Sequence, residues 1–196
     1  AGKQSAIRRV STSTTAPTAL PLAPGRWLLD RAPSSVGFSI RHLGVSKVRG
    51  RFQDFDVDVV VGPTLEACSV WAEIRTASID TGNADRDAHV CGPDILDVAR
   101  RPTITYRSRS ITPTRDGWTV DGELTIGDVT RPQRLDVEFG GIEQFMDGTR
   151  HAGFEASAEL RRKDFGIDLA MPPGVDVVAL GDVVKVVLDI QLIEPA

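Results

Sequence analysis

Three histidines (His42, His89, His151), two cysteines (Cys68, Cys91) and scattered carboxylates are the residues that could ligate a metal or move a proton. A metal site would need donors grouped at short spacing on one element, as in CxxC or HxxxH. Neither pattern occurs. Acyl or phosphoryl chemistry would need a nucleophile elbow, a phosphate-cradling Gly-rich loop or a dinucleotide fingerprint, and these are missing too. Ser46 precedes Lys47 in a turn-to-strand segment, where an SxK-type nucleophile would be forced, and Asp30 and Asp80 are isolated carboxylates. The expectation is therefore no catalytic set, no metal and no cofactor: a binding protein rather than an enzyme. Two cysteines are an even number, but one pair is not a disulfide framework, so Cys68 and Cys91 are expected as free thiols in a reducing compartment.

The elements that carry these residues are strands. Val36, Phe38 and Ile40 alternate with Ser35, Gly37, Ser39 and Arg41, the period of a half-buried strand. The same alternation recurs in Val57/Val59/Val61, in Val70/Ala72/Ile74 and in Ile104/Tyr106. Val120/Gly122/Leu124/Ile126, Leu135/Val137/Phe139, Phe154/Ala156/Ala158/Leu160 and Val184 to Leu192 continue it. Eight or nine strands with turns between them suit an antiparallel barrel or sandwich. Residues 82–98 break the pattern. Asn83 is placed to cap a short helix ending near Gly92-Pro93, with Ile95, Leu96 and Val98 packing behind it. This excursion could close one end of a barrel. Small inward residues (Gly122, Ala72, Ala156, Ala158) favour a hollow barrel over a filled sandwich.

The chain has 196 residues, 41% hydrophobic and 26% charged, with a net charge of −4. That suits one domain with a sizeable core and argues against a nucleic-acid partner, which would call for a basic face. No apolar run is long enough to span a bilayer. The first 24 residues, rich in Ser, Thr, Ala and Pro, read as a disordered leader, with the barrel over 25–196. They contain no apolar signal core. The expected location is the cytoplasm, or the periplasm or exterior if a signal was removed upstream.

The order His42-Leu43-Gly44-Val45-Ser46-Lys47-Val48-Arg49-Gly50-Arg51-Phe52-x-x-Phe55 resembles the opening signature of the YceI-like family. Trp27-Leu28-Leu29-Asp30 precedes it. Ser78-Ile79-Asp80-Thr81-Gly82-Asn83 with Arg86-Asp87 and His89 is similar to the family's central motif. Arg101 to Tyr106, Gly122 to Ile126 with Val129 to Pro132, Arg162-Lys163-Asp164-Phe165-Gly166, and Leu180-Gly181-Asp182 resemble later segments in the same order. The chain departs from the family at Cys91-Gly92-Pro93-Asp94-Ile95-Leu96, where a Ser and an aromatic segment are usual. It departs again at Gly127-Asp128, where a His-Gly pair is usual. The resemblance implies an all-β, eight-stranded, lipocalin-like antiparallel barrel with one or two short helices. It also implies a polyisoprenoid or similar long amphiphile bound inside.

Sequestration or transport of such a lipid is the expected function, with a fatty-acid carrier and a lipid-modifying enzyme as alternatives; a homodimer is left open. Burying several hundred Å² of ligand at ~25 cal/mol per Å² yields on the order of 10 kcal/mol before ordering costs. The expected contacts are Phe38, Ile40, His42, Val57, Val59, Ala72, Ile74, Ile104, Tyr106, Leu124, Phe154, Ala156, Ala158 and Leu188. His42 either makes a buried hydrogen bond at a barrel corner or touches a head group. Arg86, Asp87 and His89 form either a salt-bridged clasp for the helix or a polar collar. Arg162 is expected as a buried ion-pair partner.

Overall fold

The computed structural model describes residues 20–42, 46–168 and 180–196. The apolar alternations become strands β1 (Gly25–Leu29), β2 (Ser35–His42), β3 (Ser46–Phe52), β4 (Phe55–Val61), β5 (Ser69–Arg75) and β6 (Ile79–Asp80). After helix α1 (Ala84–Cys91) come β7 (Thr103–Pro113), β8 (Gly117–Ile126), β9 (Val129–Gln144), β10 (Arg150–Arg161) and β11 (Leu180–Ile193). All pairings are antiparallel, and Leu28 opposite Ile193 with Leu29 opposite Leu192 closes the ring.

Eleven segments make an eight-strand barrel because three barrel positions are occupied by broken strands. β1 and β2 both lie along β11, which pairs Leu192 and Ile193 with β1 and Leu180 to Asp189 with β2. β4 and β3 continue the same interface on their far side, and β5 and β6 follow them. The break after β1 falls at Pro33, which can donate nothing to a ladder. Side chains mend it: Ser34 Oγ donates to Asp30 O at 2.6 Å and accepts from Gln191 N at 3.0 Å.

The barrel has two distinct ends. At the N-terminal end, Leu22, Trp27, Phe55, Val61 and Leu192 pack together. Trp27 is fully buried, and its indole N–H donates to Ala23 O at 2.9 Å, which satisfies the polar edge of an otherwise apolar ring. At the helix end, Leu96, Ile126, Phe165 and Ile167 form a second cluster with Tyr106 and Val120. α1 begins as expected: the Asn83 side chain accepts from Arg86 N at 3.0 Å. Behind it Leu96 is buried. Residues 1–19 of the expected leader lie outside the described residues. Its last five do not match the compositional reading: Leu22 is in the core and Leu20 and Ala23 pack against it. Two leucines in a Pro- and Ala-rich stretch carry no periodic signal, yet the barrel end offers them an apolar surface to cover.

One wall is incomplete. β9 and β10 pair from Gln144 opposite Arg150 to Asp136 opposite Ser157, with a register shift at Gly153/Phe154. Beyond that point β9 stays with β8 and β10 stays with β11, and the two separate.

Candidate functional site

The inward faces enclose an apolar cavity of about 320 Å³ running from Leu20, Leu22 and Leu65 at one end to Leu96, Arg162 and Ile167 at the other. That volume lies at the small end of ligand sites, about 300–1,000 Å³. On β8 the lining spans Trp118 to Ile126. Eight steps of about 3.4 Å, inclined roughly 40° to the axis, make a tunnel about 20 Å long. Every expected contact residue except His42 lines it, including Phe38, Val57, Ala72, Ile104, Leu124, Phe154, Ala156 and Leu188. His42 ends β2 opposite Ser46 and Leu180; its side chain lies outside the described residues.

Small residues shape this lumen differently from the sequence reading. Gly122 leaves no void: a Cβ there would stand 2.6 Å from the Tyr106 ring and 2.4 Å from Arg107 O. The ring of Tyr106 lies over it. Gly50 is covered the same way by its cross-strand partner Phe38, whose ring would be 2.4 Å from a Cβ. Ala72, Ala156 and Ala158 do line open space. The Tyr106 hydroxyl donates to Gln133 O at 3.0 Å, and burial, helped by the charge of Asp121, pushes the phenol well above its ordinary range.

Aromatic walls missed by the sequence reading include Trp118, whose ring lies 5.7 Å from Phe139 and 6.1 Å from Phe154. It shares parity with Val120 to Ile126, so extending that alternation by one step would have found it. Phe52, 5.4 Å from Phe38, shares parity with Val48 and Gly50 on β3 and stands opposite Val36.

The polar expectations are corrected in part. Among the described residues Arg162 meets no carboxylate. It is buried, and its guanidinium donates to the carbonyls of Gly181, Ile167 and Leu180, each at 3.1 Å. Carbonyl oxygens in a fork can satisfy a buried guanidinium without a counter-ion. The helix clasp exists but is built on Thr81 rather than on an ion pair. Arg86 donates to Thr81 Oγ1 and O at 2.8 and 2.7 Å, and Asp87 accepts from Thr81 N and Oγ1 at 3.0 and 2.5 Å. His89 is exposed and outside this network.

His151 is buried beneath Phe145, their rings stacked at 3.8 Å, with Asp30 and Thr149 on either side. An Asp-His-Thr order suggests a nucleophile relay, but the hydrogen polarity opposes it. Gln191 Nε2 donates to His151 Nδ1 at 2.8 Å and to Asp30 at 3.2 Å. The ring proton is therefore assigned to Nε2, which donates to Thr149 Oγ1, and the Thr149 hydroxyl in turn donates to Asp147 at 2.6 Å. In this state the imidazole cannot accept the threonine proton. The bonds from Thr149 hold the Asp147 carboxyl below the usual range. Both cysteines are free thiols, and burial with the nearby Asp87 pushes the Cys91 thiol up, away from reactivity. Among the described residues no group of three His, Cys, Asp or Glu could hold a metal, and no helix is long and apolar enough to cross a membrane.

A family model, the YceI-like domain, matches residues 27–192. A UPF0312 protein of Pseudomonas aeruginosa is 37% identical over 146 residues, covering 74% of this chain and 76% of the relative. Among solved structures, Burkholderia cenocepacia BcnA has a TM-score of 0.71 at 22% identity over 83% of this chain and 98% of its own. A Saccharophagus degradans domain, described as polyisoprenoid-binding and implicated in plant cell wall breakdown, has a TM-score of 0.61 at 13% identity, covering 88% of this chain and 100% of its own. At those identities the two structures bear on the fold. The tunnel, the closed eight-strand ring and the matched span of 27–192 together place this chain in the YceI-like family.

Proposed function

We propose that this barrel binds a polyisoprenoid-type lipid in its tunnel and sequesters it from water, for storage or transfer. The observation that carries the reading is the continuous apolar lining from Leu22 to Ile167. Such a lumen recognises a chain by burial, not by charge. The polyisoprenoid-binding description of the Saccharophagus domain supports the same ligand class. Phe38, Ile40, Val57, Val59, Ala72, Ile74, Ile104, Tyr106, Leu124, Phe154, Ala156, Ala158 and Leu188 are the proposed contacts.

The test has two arms. Lipid extracted from purified protein and identified by mass spectrometry should be an isoprenoid; a straight-chain fatty acid would favour the other carrier reading. Ala156→Trp should fill the lumen and lower affinity for a prenyl probe by about tenfold or more, since a buried indole displaces a large part of the contact area. Unchanged affinity in the folded variant would remove the tunnel as the binding site.

A further inference from the structure

We infer that the split between β9 and β10 is a side portal. The chain of the ligand enters the lumen through it and an uncharged, hydroxyl-bearing head group stays in a pocket just outside. The inference rests on the tunnel-binding reading above.

The wall is open there by construction. Below Asp136 and Ser157 the two strands share no ladder, so backbone groups along 129–135 and 158–161 lack the strand partner they have elsewhere. Arg131 shows where the gap leads. It stands opposite Leu124 on the lumen face, in line with Gln133, Leu135 and Val137. Yet it is exposed, and its side chain lines a second pocket of about 310 Å³ outside the barrel. A side chain with inward parity has passed out through the seam. Gln133 and Leu160 line both the lumen and this outer pocket, so the two cavities lie back to back with little between them.

Gln133 is the latch. Its amide donates across the gap to Glu159 O at 3.0 Å and to Arg134 O at 2.9 Å. One side-chain hydrogen bond replaces the strand ladder that would seal the wall. From inside, the Tyr106 hydroxyl holds Gln133 O, which keeps the β9 side of the seam fixed while the Glu159 side can part.

The outer pocket describes the head group. Arg131 and Arg161 are balanced by Glu159 and Asp164, and Arg161 and Glu159 are already engaged by Asp182 and Lys185. A phosphate would meet no net positive charge there. A hydroxyl, which both donates and accepts, matches the mixed walls and the open strand edges.

The experiment measures association and dissociation of a four-unit prenyl alcohol and of its monophosphate with delipidated protein by stopped flow. Gln133→Met keeps the side-chain length and removes the donor. It should speed association by roughly fivefold, the scale of one neutral hydrogen bond, and tighten Kd by a similar factor, because a chain threaded through the seam already holds the latch open in the loaded protein. Val183→Trp, on the wall of the outer pocket, should slow both rates. The alcohol should bind at least as tightly as the phosphate. Rates unchanged in both variants, with slowing instead by Leu65→Trp at the N-terminal end, would overturn the portal. A phosphate bound about tenfold tighter, about 1.4 kcal/mol, would overturn the head-group assignment. Loss of all probe binding in wild type, or equal binding by Ala156→Trp, would instead sink the tunnel reading itself, and the portal with it.

Discussion

Tyr106 shows what a lumen residue does besides touching ligand. It is the single tyrosine of the chain, it is buried, and its hydroxyl donates to Gln133 O only while protonated. An unfolded phenol ionises near about 10, whereas the folded one is held higher, by burial first and Asp121 second. Above the unfolded value the folded state therefore retains a proton that the unfolded state has lost. The contribution is complete below about 10 and falls as pH rises beyond it. In an alkaline titration the phenolate absorbance of Tyr106 should appear together with the loss of β-sheet circular dichroism. Ionisation at the ordinary phenol value in an intact barrel would contradict its burial. Parity in the sequence placed Tyr106 on the inner face, but not the ring lying over Gly122, because an alternating pattern specifies a side and not the direction of a ring. Arg131 was illegible for the same reason. Its parity points inward, and only the parting of two strands distant in sequence sends it out.

At the scale of elements, the segment before β1 is where composition misled. Leu20 and Leu22 sit in a Pro- and Ala-rich stretch without period, but Leu22 joins Trp27 and Leu192 in the core. A chain starting at Leu20 should therefore be more stable than one starting at Gly25. The difference should be about 2–5 kcal/mol, the scale of deleting a buried leucine, and thermal unfolding of the two truncations measures it. Equal midpoints would mean that the barrel end closes without this strap. The strands themselves were readable because each has one apolar face, and α1 was readable because Asn83 is a capping residue. The division of three barrel positions into broken strands was not. That β3 and β4 continue one another depends on β2, β5 and β6 lying beside them. The Thr81 clasp depends likewise on where β6 ends. Arg86 and Asp87 could be picked out as its members, whereas their shared partner could not.

The whole molecule sets the length of what it can hold. The lumen runs about 20 Å from Trp118 to Ile126 along the axis. Single carbon–carbon bonds of about 1.5 Å advance about 1.25 Å each in an extended zigzag, so roughly sixteen bonds fit. An isoprene unit contributes four of these, which makes about four units the longest chain housed without folding back. Affinity for prenyl alcohols should therefore rise steeply with each added unit up to about four, as each buries more apolar surface. It should then level, because further units remain in water. The plateau distinguishes a closed lumen from a surface groove, where affinity would keep rising with chain length. Isothermal titration across an alcohol series from two to about six units measures it, and Ala158→Phe, which narrows the helix-end half of the tunnel, should move the plateau to shorter chains. A series in which head group decides affinity and chain length does not would replace the lipid-tunnel reading with a polar-ligand one. A plateau that moves with Ala158 would show that the lumen measures the chain it binds.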